Sequence, residues 1–276
     1  MADTHRDNNN EGAGSGENRG ISVLHNGISV LLSFSADEPL LGVTDIATRV
    51  GLHKSTVSRI LATLEQDGLV ERDPETRRFR LGLGVIAMAG PLLADLDVRR
   101  VAYPVLRELS RRTGETAALL LWNGSEAVCV EQVPSHHEVK HTTPLGTRYN
   151  TAASSSVQVF LAQLPTYAAQ ALLTNGTVVF PGLDDATLDA YLVRLDEAGR
   201  RGYAANYGET SLQEVGVAAP VFDHRGDAAA TVLISAPRFR VSPEQLPVFG
   251  EAVRNAADQV TQRLGGRRPE KPASRD

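Results

Sequence analysis

The chain has 276 residues, of which 42% are hydrophobic, and its formal net charge is −5 at pH 7. This length accommodates two domains of ordinary size, and the mixed composition is that of a globular protein. The single cysteine, Cys129, excludes an intramolecular disulfide and any cysteine-based zinc finger. No apolar run approaches the ~20 residues that span a bilayer, and no signal peptide is recognisable. We therefore expect a cytoplasmic protein with no membrane partner.

The N-terminal segment is polar and rich in asparagine and glycine, and we expect residues 1–20 to form a disordered tail. Residues 21–36 then predict a first helix. Its expected buried stripe consists of Ile21, Leu24, Ile28, Leu31 and Leu32. Pro39 follows soon after, and proline cannot continue a helix. The organised part of the chain is therefore predicted to begin with an amphipathic helix.

Residues 43–68 predict two helices separated at Gly51. The second helix repeats apolar residues at helical spacing, namely Val57, Ile60, Leu61 and Leu64. Its opposite face is polar and contains small residues, namely Ser55, Ser58, Arg59, Ala62 and Gln66. A helix, a tight turn and a second amphipathic helix form the helix-turn-helix pattern. In that pattern the second helix enters the major groove of DNA.

Two short strands are predicted on either side of the turn at residues 73–76, which makes the module a winged one. Arg77 and Arg78 on this wing are expected to reach phosphates or the minor groove, although an exposed hairpin without a partner is an alternative. Residues 21–82 contain seven basic and eight acidic side chains. A single module therefore gains little affinity from phosphate neutralisation, and DNA binding requires a dimer.

The sequence GLGVIA at residues 82–87 matches the G-x-G-x-x-A pattern of dinucleotide-binding folds. That fingerprint requires a βαβ unit and an acidic residue about 20 positions further on. Here the preceding strand is one arm of a hairpin, and residues 98–113 predict a helix. We instead predict a linker helix over residues 83–97. Because this helix is apolar on nearly all sides, we expect it to pair with a second copy or pack on its neighbours.

Residues 98–266 mix helices and strands and predict a separate α+β domain with an antiparallel sheet. The clearest signal is Asn123-Gly124, a hairpin turn between apolar runs at 115–122 and 126–133. A further strand is expected at 141–144. The remaining predictions are helices at 98–112, 153–164, 187–200 and 242–264, strands at 202–205, 216–222 and 228–236, and a tail at 267–276.

Two stretches resemble the IclR family of transcriptional regulators: GLHKSTVSRILATLEQDGLVERDPETRRFRLG (51–82) and VGVAAPVFDHRGDAAATVLISAP (215–237), with LGT (145–147) between them. The resemblance covers residues 21–264. It implies a winged helix-turn-helix domain at 21–82, a dimerising linker helix at 83–97 and a GAF-like effector-binding domain at 98–266. It further implies a homodimer or dimer of dimers that represses a catabolic operon from a palindromic operator. Neither enzymatic activity nor a cofactor is implied.

The resemblance also assigns site residues. The DNA-binding positions fall on Thr44, His53, Lys54, Ser55, Thr56, Ser58, Arg59, Arg77 and Arg78. The effector-binding positions, with their neighbours, fall on His141, Ser154, Ser155, Ser156, Asn206, Glu209, Gly216, Leu233 and Ser235. Gly216 replaces the cysteine that is usual in the family, and Asn206 replaces an acidic residue. The effector half therefore departs from the family pattern, whereas the DNA-binding half follows it.

Further departures lie at the predicted start of a helix, where Ala152, Val157 and Gln158 replace the family's His, Gly and Lys. The three serines at 154–156 offer hydroxyl and free backbone N–H groups, which suit an anion. We therefore hypothesise an effector that bears a carboxylate. The same serines also fit a simple N-cap run.

Other functions remain as alternatives. His136, His137 and His141 lack a suitably spaced carboxylate or cysteine, and we interpret them as a solvated loop rather than a metal site. A hydrolase that uses one of the serines is disfavoured, because the chain contains no G-x-S-x-G elbow. The remaining alternative is a ligand-independent regulator or architectural DNA-binding protein with a degenerate pocket.

Overall fold

The computed structural model describes the backbone of residues 14–35, 37–95 and 97–269. The chain divides into two compact units, Met1–Asp95 and Leu96–Asp276. The helix predicted as a linker belongs to the N-terminal unit by this division. Among the described helices, none is long and apolar enough to cross a membrane.

The N-terminal unit combines helices with one short hairpin. Its elements are α1 (Gly14–Leu32), α2 (Val43–Val50), α3 (Lys54–Gln66), β1 (Val70–Arg72), β2 (Phe79–Leu81) and α4 (Gly84–Asp95). The two strands pair antiparallel, with Val70 opposite Leu81. Gly51 ends α2 with a φ of 67°, a left-handed conformation that glycine adopts at little cost. The helix-turn-helix and the wing are therefore present as predicted.

A small hydrophobic core joins α2, α3 and the hairpin. Ile46, Val57, Leu61 and Phe79 are buried in it, and Ile60 and Leu64 pack against it. The apolar stripe predicted for α3 thus faces this core. The opposite, polar face of α3 is left at the surface.

Helix α1 differs from its prediction in two respects. It begins at Gly14, inside the segment expected to be a disordered tail. Once a helix is nucleated, each further residue adds one backbone hydrogen bond, so the helix extends toward the N-terminus. Residues 1–13 lie outside the described part. The predicted buried stripe was only partly right: Leu31 packs against the core, but Leu24, Ile28 and Leu32 are 68%, 47% and 62% exposed, and Val30 is fully buried instead. The side chain of Ile21 lies outside the described part. An apolar stripe predicts that a helix face will be buried, but it does not identify the surface that covers that face.

The C-terminal unit is built on a six-stranded antiparallel sheet of strand order β5-β4-β3-β8-β7-β6. Its elements are α5 (Asp97–Thr113), β3 (Thr116–Trp122), β4 (Ala127–Val133), β5 (Arg148–Tyr149), α6 (Ser155–Leu161), α7 (Thr166–Thr174), α8 (Asp185–Arg201), β6 (Ala204–Tyr207), β7 (Glu214–Phe222), β8 (Ala228–Pro237) and α9 (Leu246–Arg263). This arrangement confirms the predicted α+β class with an antiparallel sheet.

Each face of the sheet is covered by a different set of helices. Leu119, Val217 and Ile234 point to the face that α5 and α9 cover. Ala118 and Leu233 point to the other face, which α6 and α8 cover. Alternation along the strands therefore assigns each sheet residue to one of two cores.

Two local predictions for this unit were wrong. Residues 141–144 form no strand, and the edge strand is instead β5, where Tyr149 pairs with Ala127. Helix α7 was not predicted, because Thr166–Thr174 has alanines and leucines on several sides rather than in one stripe. Residues 267–269 follow α9 without regular structure, and the rest of the predicted C-terminal tail lies outside the described part.

Candidate DNA interface and effector pocket

The polar face of α3 presents a continuous exposed surface. His53 immediately precedes the helix, and Lys54 begins it. The exposed side chains at the predicted DNA-binding positions of this surface are His53, Lys54, Ser55, Thr56, Ser58 and Arg59. Thr44, in the first turn of α2, is exposed as well. Since the core of the unit holds the opposite face of α3, this surface is available to a groove of DNA.

Four of the seven basic side chains of residues 21–82 are engaged by neighbours. Those engaged are Arg49 with Glu38, Arg72 over the ring of Phe79, Arg78 with Asp45 and the carbonyl of Leu40, and Arg80 with Glu71. Within the described residues, the side chains of Lys54, Arg59 and Arg77 form no hydrogen bond or ion pair. Three cations are thus free for an external partner, although residues 21–82 are weakly acidic as a whole.

The wing turn holds Arg77 in an unusual backbone conformation. Its φ is 60°, and among the described residues Arg77 is the only non-glycine residue with a positive φ. Its N–H donates to the Asp73 carbonyl at 3.0 Å, and the Asp73 carboxylate accepts from the N–H of Thr76 at 2.7 Å. Hydrogen bonds from Thr76 lower the pKa of Asp73. The turn is therefore fixed by local bonds, and the exposed Arg77 closes it on the side of β2.

Four polar or small positions of the C-terminal sheet lie in one row. Asn206 is opposite Gly216, Gly216 is opposite Ser235, and Ser235 is opposite Thr116. Residues that face each other across antiparallel strands point to the same side. This row lies on the face that α6 covers, next to the buried Leu233.

The three serines at the start of α6 are all buried, and one of them, Ser155, lies against this row. The Ser155 hydroxyl lies 3.0 Å from the point where a Cβ on Gly216 would stand. Ser154 occupies the N-cap position, but its side chain makes no capping hydrogen bond. The Ser156 hydroxyl is fully buried and has no hydrogen-bond partner in the described structure. Ser155 therefore places a hydroxyl against the sheet, and Ser156 adds a buried hydroxyl without a partner among the described residues.

Two further departures from the family pattern have structural roles. Gln158, at the usual lysine position, donates its amide N–H to the carbonyls of Ala152 and Ala153 at 3.2 and 3.0 Å. Asn206 accepts from the N–H of Glu209 at 2.8 Å and donates to Thr210. Both side chains thus hold turns beside the serines.

Glu209 and His141 lie at the rim of the row. The Glu209 carboxylate forms an ion pair with Arg194 of α8 at 2.9 Å. The His141 ring nitrogen Nε2 lies 3.1 Å from the Gln213 carbonyl. This contact joins the loop after β4 to the loop before β7. Among the described residues, no group of three His, Cys, Asp or Glu side chains could hold a metal ion.

Besides Thr116 of the row, sequence reasoning missed Thr143, Tyr149 and Glu214 at this site. The Thr143 hydroxyl lies 3.3 Å from that of Ser235. Tyr149 packs on the same face, and burial together with the nearby Glu214 carboxylate raises the pKa of its phenol to about 12. Only Glu214 had a usable signal, since it lies two residues before Gly216 on a strand and so points the same way. Thr143 and Tyr149 reach the site through loop packing and strand pairing.

Comparison with known families decides the identity of the chain. The model described as "Bacterial transcriptional regulator IclR C-terminal" matches residues 91–262, and that described as "IclR helix-turn-helix domain" matches residues 23–74. The chain belongs to the IclR family. This confirms the resemblance of its two motif stretches, and it identifies a DNA-binding transcriptional regulator rather than an enzyme.

Relatives of this IclR-family regulator cover nearly its whole length. The regulator KipR of Bacillus subtilis (strain 168) is 30% identical over 237 residues, which are 85% of this chain and 94% of KipR. A solved domain of another IclR-family regulator is 59% identical with a TM-score of 0.61, and the match covers 63% of this chain and 99% of that one.

A ligand-bound structure is also similar. It is an IclR homologue from Microbacterium hydrocarbonoxydans in complex with 4-hydroxybenzoate, 25% identical with a TM-score of 0.73. The match covers 88% of this chain and 98% of that one. The similarity spans both the helix-turn-helix and the C-terminal fold of the regulator.

Proposed function

We propose that this regulator represses a catabolic operon, that it binds a palindromic operator as a homodimer or dimer of dimers in the cytoplasm, and that a small effector releases it. The observation that carries the proposal is the exposed face of α3, where Lys54 and Arg59 have no hydrogen-bond or ion-pair partner among the described residues. A face of this kind suits the major groove, which accepts an α-helix.

The remaining DNA-binding positions divide by chemistry. Short hydroxyl side chains suit phosphate oxygens, and we assign this role to Thr44, Ser55, Thr56 and Ser58. An arginine that points to the groove suits the edge of guanine, and we assign this role to Arg59. His53 and Lys54 at the start of the helix and the wing arginines Arg77 and Arg78 add backbone contacts. Sequence discrimination then depends on few side chains.

Replacing Arg77 by alanine is expected to weaken DNA binding uniformly over different sequences. The exposed guanidinium in the wing turn neutralises about one phosphate, so the slope of log K against log salt should fall by about 1. Fluorescence anisotropy titrations over a range of salt concentrations measure this slope. An unchanged slope would refute the wing contact, and a loss confined to one operator sequence would assign base reading to Arg77 instead.

A second copy is needed because one module, with seven basic and eight acidic side chains in residues 21–82, has no net positive charge to attract DNA. Candidate contact surfaces are the exposed apolar residues of α1 and α4. These include Leu24, Ile28 and Leu32 on α1 and Ile86 and Met88 on α4. Apolar patches of this kind commonly mark protein interfaces. Two modules in a symmetric dimer would match the two halves of a palindrome.

For the effector we propose a small molecule that bears a carboxylate. The support is the buried Ser155 hydroxyl beside Gly216 and the buried Ser156 hydroxyl, which has no partner among the described residues, since hydroxyl groups donate hydrogen bonds well to carboxylates. A similar regulator has been solved with 4-hydroxybenzoate, which is a carboxylate. The pocket positions are His141, Ser154, Ser155, Ser156, Asn206, Glu209, Gly216, Leu233 and Ser235.

Replacing Ser156 by alanine is expected to stabilise the effector-free protein by about 1 kcal/mol, because it removes a buried hydroxyl without a partner. The same change should weaken effector binding. Urea unfolding of the full chain measures the first effect. Ser235→Ala serves as a control, since that hydroxyl has a partner in Thr143 and its loss should destabilise. Destabilisation by Ser156→Ala would show that its hydroxyl is already satisfied.

Regulation follows if the effector binds one conformational state better than the other and so shifts their populations. A gel-shift titration with DNA from upstream of the chain's own gene, with and without candidate carboxylic acids, tests the whole proposal. A shift that an acid reverses is the expected result. A shift insensitive to every acid would favour a ligand-independent regulator, and no shift would refute operator binding.

A further inference from the structure

The sheet face that carries the proposed effector positions also contains an acidic side chain, Glu214, which the family pattern did not point to. Glu214 is the first residue of β7 and is half-buried. It lies two positions before Gly216 on the same strand, so both point to the face covered by α6. The backbone of Glu214 is therefore roughly 7 Å from that of Gly216, beside which the Ser155 hydroxyl lies.

Glu214 has few partners of its own. Its Oε2 accepts a hydrogen bond from the Thr210 hydroxyl at a long 3.4 Å. Its negative charge also acts on the Tyr149 phenol, which packs on the same face. Within the part of the chain that the structure describes, no lysine or arginine forms an ion pair with Glu214. The nearby Arg194 is engaged with Glu209.

A carboxylate in this position restricts which ligands can bind. A ligand without a donor would cover Glu214 and leave its charge desolvated and poorly paired, which is costly. A ligand with a second carboxylate would place two like charges together. A ligand with a hydroxyl or an amine at this end would donate to Glu214 and gain a charge-assisted hydrogen bond.

We propose that the effector is a small hydroxy- or aminocarboxylate, whose carboxylate lies at the serines and whose donor group pairs with Glu214. This inference rests on the proposed effector function and narrows its chemistry. Tyr149 and Thr143 border the same end and supply neutral hydroxyls around the donor. The two functional groups of the effector are separated by about 7 Å, the spacing of alternate residues on β7.

Calorimetric titration of the full chain with two matched sets of acids tests whether the donor group pairs with Glu214. One set is benzoate, 4-hydroxybenzoate, 4-aminomethylbenzoate and terephthalate, and the other is pentanoate, 5-hydroxypentanoate, 5-aminopentanoate and hexanedioate. Acids with a donor group are expected to bind at least about tenfold more tightly than their unsubstituted counterparts, because the donor adds a hydrogen bond to the charged Glu214 carboxylate. Dicarboxylates are expected to bind most weakly.

Substitutions at position 214 separate the two donor chemistries. Glu214→Leu should abolish the preference for donors, whereas Glu214→Gln should remove only the preference for an amine over a hydroxyl. Glu251→Gln makes the same chemical change on α9, which covers the opposite face of the sheet, and it should change nothing. Far-ultraviolet circular dichroism checks that each variant is folded.

Several outcomes would overturn the inference. These are dicarboxylates that bind as well as the donor acids, an unchanged preference in Glu214→Leu, or no binding by any member of either set. Gel shifts run in parallel separate this failure from failure of the proposed function. If unsubstituted acids release the operator and Glu214→Leu responds like the wild type, the carboxylate effector stands and the role of Glu214 is wrong.

Discussion

Replacing Arg59 by alanine is expected to lower affinity for the cognate operator by roughly ten- to a hundredfold and to reduce discrimination against a substituted base. A bidentate arginine–guanine contact contributes ~1–3 kcal/mol of discrimination. Arg59 lies on the exposed face of α3 and has no partner among the described side chains, so its removal should not disturb the fold. Fluorescence anisotropy with the operator and a series of singly substituted operators, all at one salt concentration, measures both quantities.

A matched control is Arg112→Ala. Arg112 is an exposed arginine in the last turn of α5, in the other unit, and its loss changes the net charge by the same amount. It should leave operator affinity nearly unchanged. If Arg59→Ala binds the operator like the wild type, the recognition assignment is wrong. A loss that is equal for all DNA sequences would instead identify Arg59 as a phosphate contact.

Replacing Gly82 by alanine is expected to destabilise the N-terminal unit by about 3 kcal/mol, the upper part of the range for overpacking. A Cβ at Gly82 would stand 2.3 Å from the carbonyl oxygen of Gly68 and 3.1 Å from its carbon. Both are backbone atoms, and the N–H of Gly82 is held to the Leu69 carbonyl at 2.9 Å. The clash therefore cannot be relieved by a side-chain rotation. Hydrogen exchange of the α2 and α3 amides measures the loss.

The control for this change is Gly90→Ala. Gly90 lies within α4, and a Cβ there would meet no atom within 4 Å. Since alanine is the better helix former, this variant should be neutral or more stable by up to about 1 kcal/mol. Equal exchange protection in the two variants would show that the approach of Gly82 to Gly68 is not tight.

The same geometry explains why the chain contains a Gly-x-Gly at the end of the wing. A Cβ at Gly84 would also stand 2.6 Å from the Gly68 carbonyl oxygen. Both glycines thus permit the end of the wing to pass close to the turn after α3. The pattern that resembles a dinucleotide fingerprint is a packing requirement, and β2 is followed by α4 without a βαβ unit.

Local patterns were sufficient for the elements whose signals lie within one segment. The apolar repeat of α3 predicted its buried face, and Asn123-Gly124 predicted the β3–β4 hairpin. The same reasoning failed for α1, where Leu24 and Ile28 are apolar but exposed. Periodicity detects an apolar face, but tertiary packing decides whether the protein's own core covers it.

The position of helix α3 and the exposure of its polar residues could therefore be predicted from the sequence alone. The effector pocket was only partly determined, because its positions were carried over from the family rather than derived. Tertiary structure decided that Ser155 fills the space beside Gly216 and that Glu214 and Tyr149 share this face. The physical reason is that strand register and loop packing depend on partners far apart in the chain, and no local pattern encodes them.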